Sequence, residues 1–304
     1  MKLNNMKKVI AIVVTYKRKE LLKKVLTRLS GQSFKLSKII VVDNNSQDGT
    51  EELVKSFYLN DDTFEYHNTG ANLGGAGGFN FGFKLANNYG YDYLWLMDDD
   101  FLPAGDCLDK LIAHNINGIT QPIRYNLDGT CAEISPVLYD LNKIFCKNPK
   151  SFTVADIYNT IKEKNLIPIA GVPFEGPLIS KAVVEAIGYP NPDFFIFNDD
   201  LDYSIRARKA GFDIMCSFKA SAERLLVNNQ NDDINSWKGY FMLRNHFYIL
   251  RNHGENFLVK NRSLPIAVFY CCKALLSGNK KLFKVVLNAY NDSFTLKNND
   301  KFKP

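Results

Sequence analysis

Three consecutive carboxylates, Asp98, Asp99 and Asp100, follow directly on the apolar run "YLWLM". Adjacent negative charges repel one another and resist burial, so at the end of a core strand they need a compensating partner. Side chains alternate along a strand, which turns Asp98 and Asp100 to one side. Two carboxylates so placed suit a hard divalent cation, Mg²⁺ or Mn²⁺, of the kind that also serves phosphate oxygens. A DxD triplet often marks no more than a solvated loop; behind an apolar strand the metal reading is the stronger.

A second acid set lies in "FFIFNDDLDYSIRARKAG", where Asp199, Asp200 and Asp202 follow another apolar run. One of them could be a general base held near a metal–phosphate site. The alternative is a helix cap with a salt-bridge network, Arg206 pairing an acid one turn back. Asp43 closes the run "IIVVD" before "NNSQDGT". It either accepts hydrogen bonds from a base or ribose or belongs to an Asx-rich turn. In "NTGANLGGAGGFNFG", Gly74, Gly75, Gly77 and Gly78 permit positive φ and close backbone approach. A helix N-terminus after them would suit a diphosphate, although the run is neither a P-loop nor a clean GxGxxG.

These residues need a scaffold, and the first hundred positions supply one. "VIAIVVTY" (9–16) is a continuous β-branched run, and Leu21, Leu22, Val25, Leu26 and Leu29 recur at helical spacing after it. "KIIVVD" repeats the strand signal, Thr50 is the expected N-cap of a helix through "EELVKSFY", and "FEYHN" and "DYLWLM" are further strands. Alternating β and α elements predict an α/β fold with a mainly parallel sheet flanked by helices. In such sheets ligands bind beyond the carboxyl ends of the strands, where Thr15, Asp43 and Asp98–Asp100 all fall. "QPIRYNLDGTCAEI" predicts a hairpin, Trp95 reads as core, and helices are expected from 237 onward.

The chain of 304 residues is 46% hydrophobic and 23% charged, enough for one large or two small domains. "MKLNNMKK" leads straight into a strand, which argues against a signal peptide, and "LPIAVFYCCKALL" is too short to cross a bilayer. Cys107, Cys131, Cys146, Cys216, Cys271 and Cys272 form no CxxC pair and read as free thiols of a cytosolic chain. The net charge of +6 is uneven: residues 251–304 hold ten Lys or Arg against three acids. Such a bias fits an anionic partner or an ordinary solvated face.

Taken together, "AIVVTYKRKELLKKVLTRLSGQS", "IIVVDNNSQDGT", "NLGGAGGFNFGF", "WLMDDDFLP", "FEGPLISKAVVEAIGYPNPDFFIFNDDLDYSIRARKAG" and "WKGYFMLRNHFY" resemble an inverting family 2 glycosyltransferase of the GT-A fold. The "NLGGAGGF", triple-Asp and "NDDLDYSIR" combination is most similar to the galactofuranosyl- and rhamnosyltransferase branches. The resemblance implies a catalytic domain over 1–235, with a nucleotide-binding half (1–110) and an acceptor half (111–235), and a basic helical extension over 236–304. It implies a UDP-galactofuranose or dTDP-rhamnose type of donor bound by Thr15, Asp43, Asn72, Gly74, Gly75, Asp98 and Asp99, with Asp43 at the base. Asp98 and Asp100 match the metal-binding acids and Asp199 the catalytic base. Asp200 and Asp202 would support that base or, with Glu175, face the acceptor, a cell-surface glycan or lipid-linked sugar. Family members often carry a further histidine ligand after the base. Here Glu223 falls near that place, with His246 or water as alternatives, and with an ordinary surface position for Glu223 as the plain reading.

The resemblance also implies a cytoplasmic protein working at the inner face of the membrane. The basic, apolar segment 263–290 would either rest on anionic lipid or pack on the catalytic domain with its lysines solvated, and no nucleic-acid partner is expected. Two other classes compete. An inactive nucleotide-sugar or glycan-binding module would keep the fold without the acids, whereas Asp98, Asp100 and Asp199 are present. A nucleotidyltransferase would carry a glycine-rich phosphate loop after the first strand, where "TYKRKELL" has no glycine.

Overall fold

The computed structural model describes residues 7–59, 61–145, 149–226, 236–298 and 300–303. Its N-terminal half alternates β1 (Val9–Thr15), α1 (Lys19–Ser30), β2 (Lys38–Asp43), α2 (Thr50–Tyr58), β3 (Phe64–Asn68), α3 (Gly74–Ala86) and β4 (Tyr93–Asp98). β5 (Phe101–Pro103), α4 (Cys107–Ala113), β6 (Ile119–Asn126), a ribbon of β7 (Pro136–Tyr139) and β8 (Lys150–Thr153), α5 (Val154–Ile161) and β9 (Leu166–Pro168) follow. Next come β10 (Leu178–Ser180), α6 (Lys181–Ile187), α7 (Asp199–Lys209) and β11 (Ile214–Arg224). The chain closes with α8 (Lys238–His253), α9 (Phe257–Asn261), α10 (Ser263–Leu276) and α11 (Lys280–Asp292).

One sheet runs β3-β2-β1-β4-β10-β6-β11-β5, with β9 also on β11. From β3 to β4 it is parallel, as expected. β10 then enters antiparallel between β4 and β6, and β5 and β9 lie antiparallel on β11. The sheet therefore continues across the division drawn from sequence at 110. All seven residues of β1 are buried because both faces are covered. Ile10, Ile12 and Val14 pack with Phe79 and Phe83 of α3, while Val9, Ala11 and Val13 pack with Leu22, Val25 and Leu26 of α1.

The glycines of α3 serve that packing. They form the helix's first turns instead of preceding it. A Cβ on Gly78 would sit 2.6 Å from Val14 Cγ1, and one on Gly82 2.4 Å from Ile12 Cγ2, so the helix backbone lies directly on β1. Thr50 is the first residue of α2 and not its cap. Asp48 Oδ1 accepts from Thr50 N (3.2 Å) and Thr50 Oγ1 (2.6 Å) in its place. Trp95 is fully buried and donates to Gly176 O at 2.9 Å. The expected hairpin closes on a bridge between Tyr125 and Cys131. Of the cysteines, Cys107 and Cys216 are buried, Cys272 is exposed, and Cys146 lies outside the described residues.

α8 to α11 pack on this domain through Phe195, Tyr240, Phe241, Phe247, Val286 and Ala289. No helix among the described residues is long and apolar enough to cross a membrane.

Candidate active site

The parallel strands end level with one another. Thr15 lies opposite Asp43, Val14 opposite Asp98, and Asp43 opposite Asn68. β4 stops at Asp98, and a two-residue turn, Asp99–Asp100, leads into β5. The three acids then divide their work. Asp99 is buried and faces back across the sheet, accepting from Thr15 Oγ1 (2.7 Å), Tyr16 N (3.4 Å) and Arg18 Nη1 (3.1 Å). Thr15 and Asp99, expected to touch the donor, are thus spent on each other and lock the end of β1 to the acid turn. Asp98 receives no hydrogen bond among the described residues, and its carboxyl is held well above the usual range by burial and by the charges of Asp100 and Glu175. Asp100 is pushed up to about 6 by burial, Glu175 and Asp99, against the pull of Arg18 at 4.0 Å and of Arg224.

Asp43 is fully buried. Its carboxylate accepts from Tyr66 Oη (2.7 Å) and Ser46 N (2.9 Å) and presents no open edge to a base. Asn72 caps the entry to α3 by accepting from Gly74 N at 2.9 Å. Gly74 has φ +71 and packs on the Phe195 carbonyl, while a Cβ on Gly75 would meet open space. A cleft of about 350 Å³ opens beside this end of the sheet, lined by Lys17, Arg18, Lys19 and Asp48. Arg18, which the sequence reading passed over, is the half-exposed cation between that cleft and the acids. Its signal was the basic "YKRK" run at the carboxyl end of β1.

Glu175 sits one residue before Gly176, whose φ of +102 and 2.3 Å virtual Cβ contact with the Phe101 ring demand glycine. It is not an open acceptor ligand. Arg124 and Arg224 (3.0 Å) both clamp it, and Arg124 also binds Glu133 at 2.7 and 2.9 Å. Pairing of this kind keeps buried charges tolerable. The charge of Glu175 raises the carboxyls of Asp98, Asp100 and Asp200 alike, so this residue links the acid turn to the second acid set.

That second set opens α7. The segment before it is strained: Phe195, Phe197 and Asn198 have φ of +63, +67 and +64. Helix α8 holds it there. Asn245 Nδ2 donates to the carbonyls of Phe194 (3.1 Å), Ile196 (2.7 Å) and Phe197 (2.8 Å), and Arg244 Nη2 donates to those of Asp193 (2.7 Å) and Phe194 (2.9 Å). Asp199, the expected base, is buried, and burial beside Asp200 pushes its carboxyl far up. Asp200 is the acid that faces open space. It lines a cavity of about 1440 Å³, accepts from Leu201 N at 2.7 Å, and is pushed up to about 6 chiefly by burial and by Glu175, against Lys150 and Arg124. Asp202 points elsewhere. Its oxygens are taken by His253 Nε2 (2.7 Å) and Arg206 Nε (2.8 Å), a buried bond network between α7 and α8 and not an acceptor contact.

Glu223 is exposed on β11, and strand alternation turns it away from Arg224, the neighbour that reaches Glu175. It does not join Asp98 and Asp100. His246 lines the large cavity with Asp200, and burial and Arg262 push its ring down to about 4. Among the described residues no three His, Cys, Asp or Glu side chains are grouped to ligate one ion. The carboxyls of Asp98 and Asp100, pushed up by burial and by neighbouring acids, would suit a hard cation, with phosphate and water completing the set.

Residues 10–130 match the family described as Glycosyl transferase family 2. The chain is 28% identical over 281 residues to galactofuranosyltransferase GlfT1 of Mycolicibacterium smegmatis, covering 86% of this chain and 89% of that protein. Over 101 residues, a third of the chain, it is 37% identical to the GalNAc(5)-diNAcBac-PP-undecaprenol beta-1,3-glucosyltransferase of Campylobacter jejuni, covering 32% of it. Among solved structures, the mannosyltransferase PcManGT from Pyrobaculum calidifontis in complex with GDP-Man and Mn²⁺ superposes with a TM-score of 0.59 at 15% identity. That match covers 96% of this chain and 88% of the other and identifies the fold.

Proposed function

We propose, from the match of residues 10–130 to the glycosyl transferase family 2 model and from the GT-A type of fold, that the chain moves a hexosyl group, with inversion, from a nucleoside diphosphate donor to a hydroxyl of a glycan or lipid-linked acceptor. Relatedness to a galactofuranosyltransferase favours a UDP-galactofuranose type of donor, with dTDP-rhamnose the next to try. The observation that carries the reading is Asp200: a carboxylate at a helix start, open to a cavity, with its pKa near neutrality and Glu175 in common with Asp98 and Asp100.

A general base works best when its pKa lies near the working pH, and Asp200, which also lines the cavity, meets that condition. Asp200 takes the proton of the acceptor hydroxyl as its oxygen attacks the anomeric carbon from the side opposite the leaving diphosphate. Asp98 and Asp100 would hold a divalent cation, Mn²⁺ or Mg²⁺, which when bound offsets the charge developing on the diphosphate. Asp99, through Thr15 and Arg18, fixes the turn that carries both acids. Glu175, clamped by two arginines, adds its charge to both acid sets and raises the carboxyls of Asp98, Asp100 and Asp200.

The acceptor-side surface supports work at a membrane. Phe257 (76% exposed), Phe269 (64%), Leu275 (66%) and Leu276 (91%) protrude from α9 and α10 near Lys273, Lys280 and Lys281. An apolar, basic face of this kind rests on anionic lipid at the cytoplasmic side.

A thermal-shift series with UDP-, dTDP- and GDP-sugars, with and without Mn²⁺, tests the donor site. A ligand at a hundred times its Kd adds about 2.7 kcal/mol, roughly 4 °C for a chain of this length. The cognate donor should raise Tm only with the metal, and Asp98→Ala or Asp100→Ala should abolish the shift while leaving the ligand-free Tm near that of the parent. An unchanged shift in both variants would sink the metal site. Binding without transfer in the parent would leave a binding module.

A further inference from the structure

The cavity that receives Asp200 is larger than a sugar acceptor needs. Its volume of about 1440 Å³ exceeds the roughly 300–1,000 Å³ of small-molecule pockets. It lies between the β7–β8 ribbon, the Gly171–Pro173 loop, the start of α7 and helices α8 to α10. Much of its wall is hydrocarbon, contributed by residues such as Met242, Leu243, Leu258, Leu264, Ile266 and Phe269. Sugars are bound by dense arrays of hydrogen-bonding groups, and this wall offers few. Two cations, Lys150 and Arg262, stand in it, with Asp200, His246, Tyr139 and Tyr270 as the other titratable side chains of the lining. Burial lowers the pKa of Lys150 against the attraction of Asp200 and Glu133, and Arg262 Nη1 donates to Lys143 O at 3.4 Å.

The wall is also continuous with the outside. Leu258 (54% exposed), Leu264 (52%) and Phe269 (64%) line the cavity and stand on the apolar face of α9 and α10 at the same time. One hydrophobic surface therefore leads from the face offered to a membrane into the cavity that Asp200 also lines. Apolar walls, two cations and a carboxylate in one cavity match a molecule with a long hydrocarbon chain, a phosphate and a hydroxyl.

We propose that this cavity holds the lipid part of the acceptor: a polyprenyl chain against Leu258, Leu264 and Phe269, its phosphate against Lys150 and Arg262, and the sugar it carries at Asp200. The proposal rests on Asp200 being the transfer base. It differs from surface adhesion because the chain is taken inside the protein.

The test uses the full chain without donor, in detergent-free buffer, and follows displacement of a fluorescent apolar dye, anilinonaphthalene sulfonate. The competitors are geranylgeranyl phosphate, geranylgeraniol, dioleoyl phosphatidic acid and inorganic phosphate. A charge-assisted phosphate contact should make geranylgeranyl phosphate bind about ten- to a hundredfold more tightly than geranylgeraniol. Inorganic phosphate should displace nothing. Lys150→Gln should narrow the gap between phosphate and alcohol, and Leu264→Glu, at the exposed mouth, should weaken both prenyl ligands at least tenfold. Equal affinity for phosphate and alcohol, no response to either variant, or tighter binding of phosphatidic acid than of the prenyl phosphate would each overturn the proposal. The catalytic reading fails separately: a parent that binds geranylgeranyl phosphate but transfers no sugar loses the base and keeps the lipid site. Transfer to a water-soluble sugar without prenyl binding does the reverse.

Discussion

Replacing Asp200 by Asn removes a proton acceptor while keeping the shape of the side chain and its bond from Leu201 N. Loss of one positioned general base costs on the order of 10²–10⁴ in rate. The structure adds a second, independent signature. With its carboxyl near 6, Asp200 is about nine-tenths ionised at pH 7 and about one-tenth ionised at pH 5. Transfer should therefore slow roughly ninefold between those values, on an ascending limb centred near pH 6. The assay is initial-rate transfer from the donor chosen by thermal shift, under saturating acceptor, from pH 5 to 8, for the parent, Asp200→Asn and Asp199→Asn. The Asp200 variant should keep the donor's thermal shift, lose transfer by at least a hundredfold and lose the limb near 6. The Asp199 variant should keep both rate and limb within a few-fold. If Asp200→Asn turns over within threefold of the parent while Asp199→Asn is dead, cavity exposure is the wrong guide to the base and the assignment returns to Asp199.

Asp202→Asn should destabilise the fold by about 3–5 kcal/mol, because Arg206 and His253 lose a buried carboxylate. Burial alone would raise the Asp202 carboxyl, but His253 and Arg206 outweigh it and hold the folded-state pKa below the ordinary value. A depressed carboxylate contributes stability above its unfolded pKa and loses it as pH falls through the folded one. The parent's Tm should therefore drop below about pH 4, and the variant's acid limb should be shallower; identical limbs would mean the network carries no linkage. Asp100 and Asp200, raised to about 6, act with the opposite sign, so Tm of the metal-free protein should rise as pH falls from 7 to 5. Liposome co-sedimentation should show binding that needs anionic lipid, weakens with salt and drops when Lys280, Lys281 and Lys284 become Glu, each lysine near the surface being worth about 1 kcal/mol. Protein that stays in the supernatant at low salt with anionic vesicles would end the peripheral-membrane reading.

The parallel half of the sheet was legible because its signals are local. β1, β2 and β4 are covered on both faces, so their sequences are unbroken apolar runs, and turn residues mark their ends. The antiparallel entry of β10 was not legible: three residues, Leu178–Ser180, carry no periodicity, and their place is set by contacts with β4 and β6 far away in the chain. For the acids, sequence located the clusters but could not divide labour within them. Asp99 and Asp202 look like their neighbours in the sequence. What separates them is a partner from elsewhere, Thr15 at a separation of 84 residues for one and His253 at 51 for the other. The same holds for Asp199 and Asp200, adjacent and alike until burial and Glu175 distinguish them. Glu223 was placed by counting along the chain, and strand alternation turned it outward.

The grip of Arg244 and Asn245 on the segment before Asp199 bears on modularity. Left-handed residues cost about 1–3 kcal/mol each and persist only where surroundings insist on them. Here the insistence comes from α8, whose side chains satisfy five carbonyl contacts on a stretch more than forty residues upstream. The helical end of the chain thus helps position the proposed base and is not an appendage to a finished domain. Engineering that trades this end between relatives to redirect acceptor choice has to carry Asp193–Asn198 and α8 as one cassette. Splitting them would leave the acids in place in the sequence but unaimed in space.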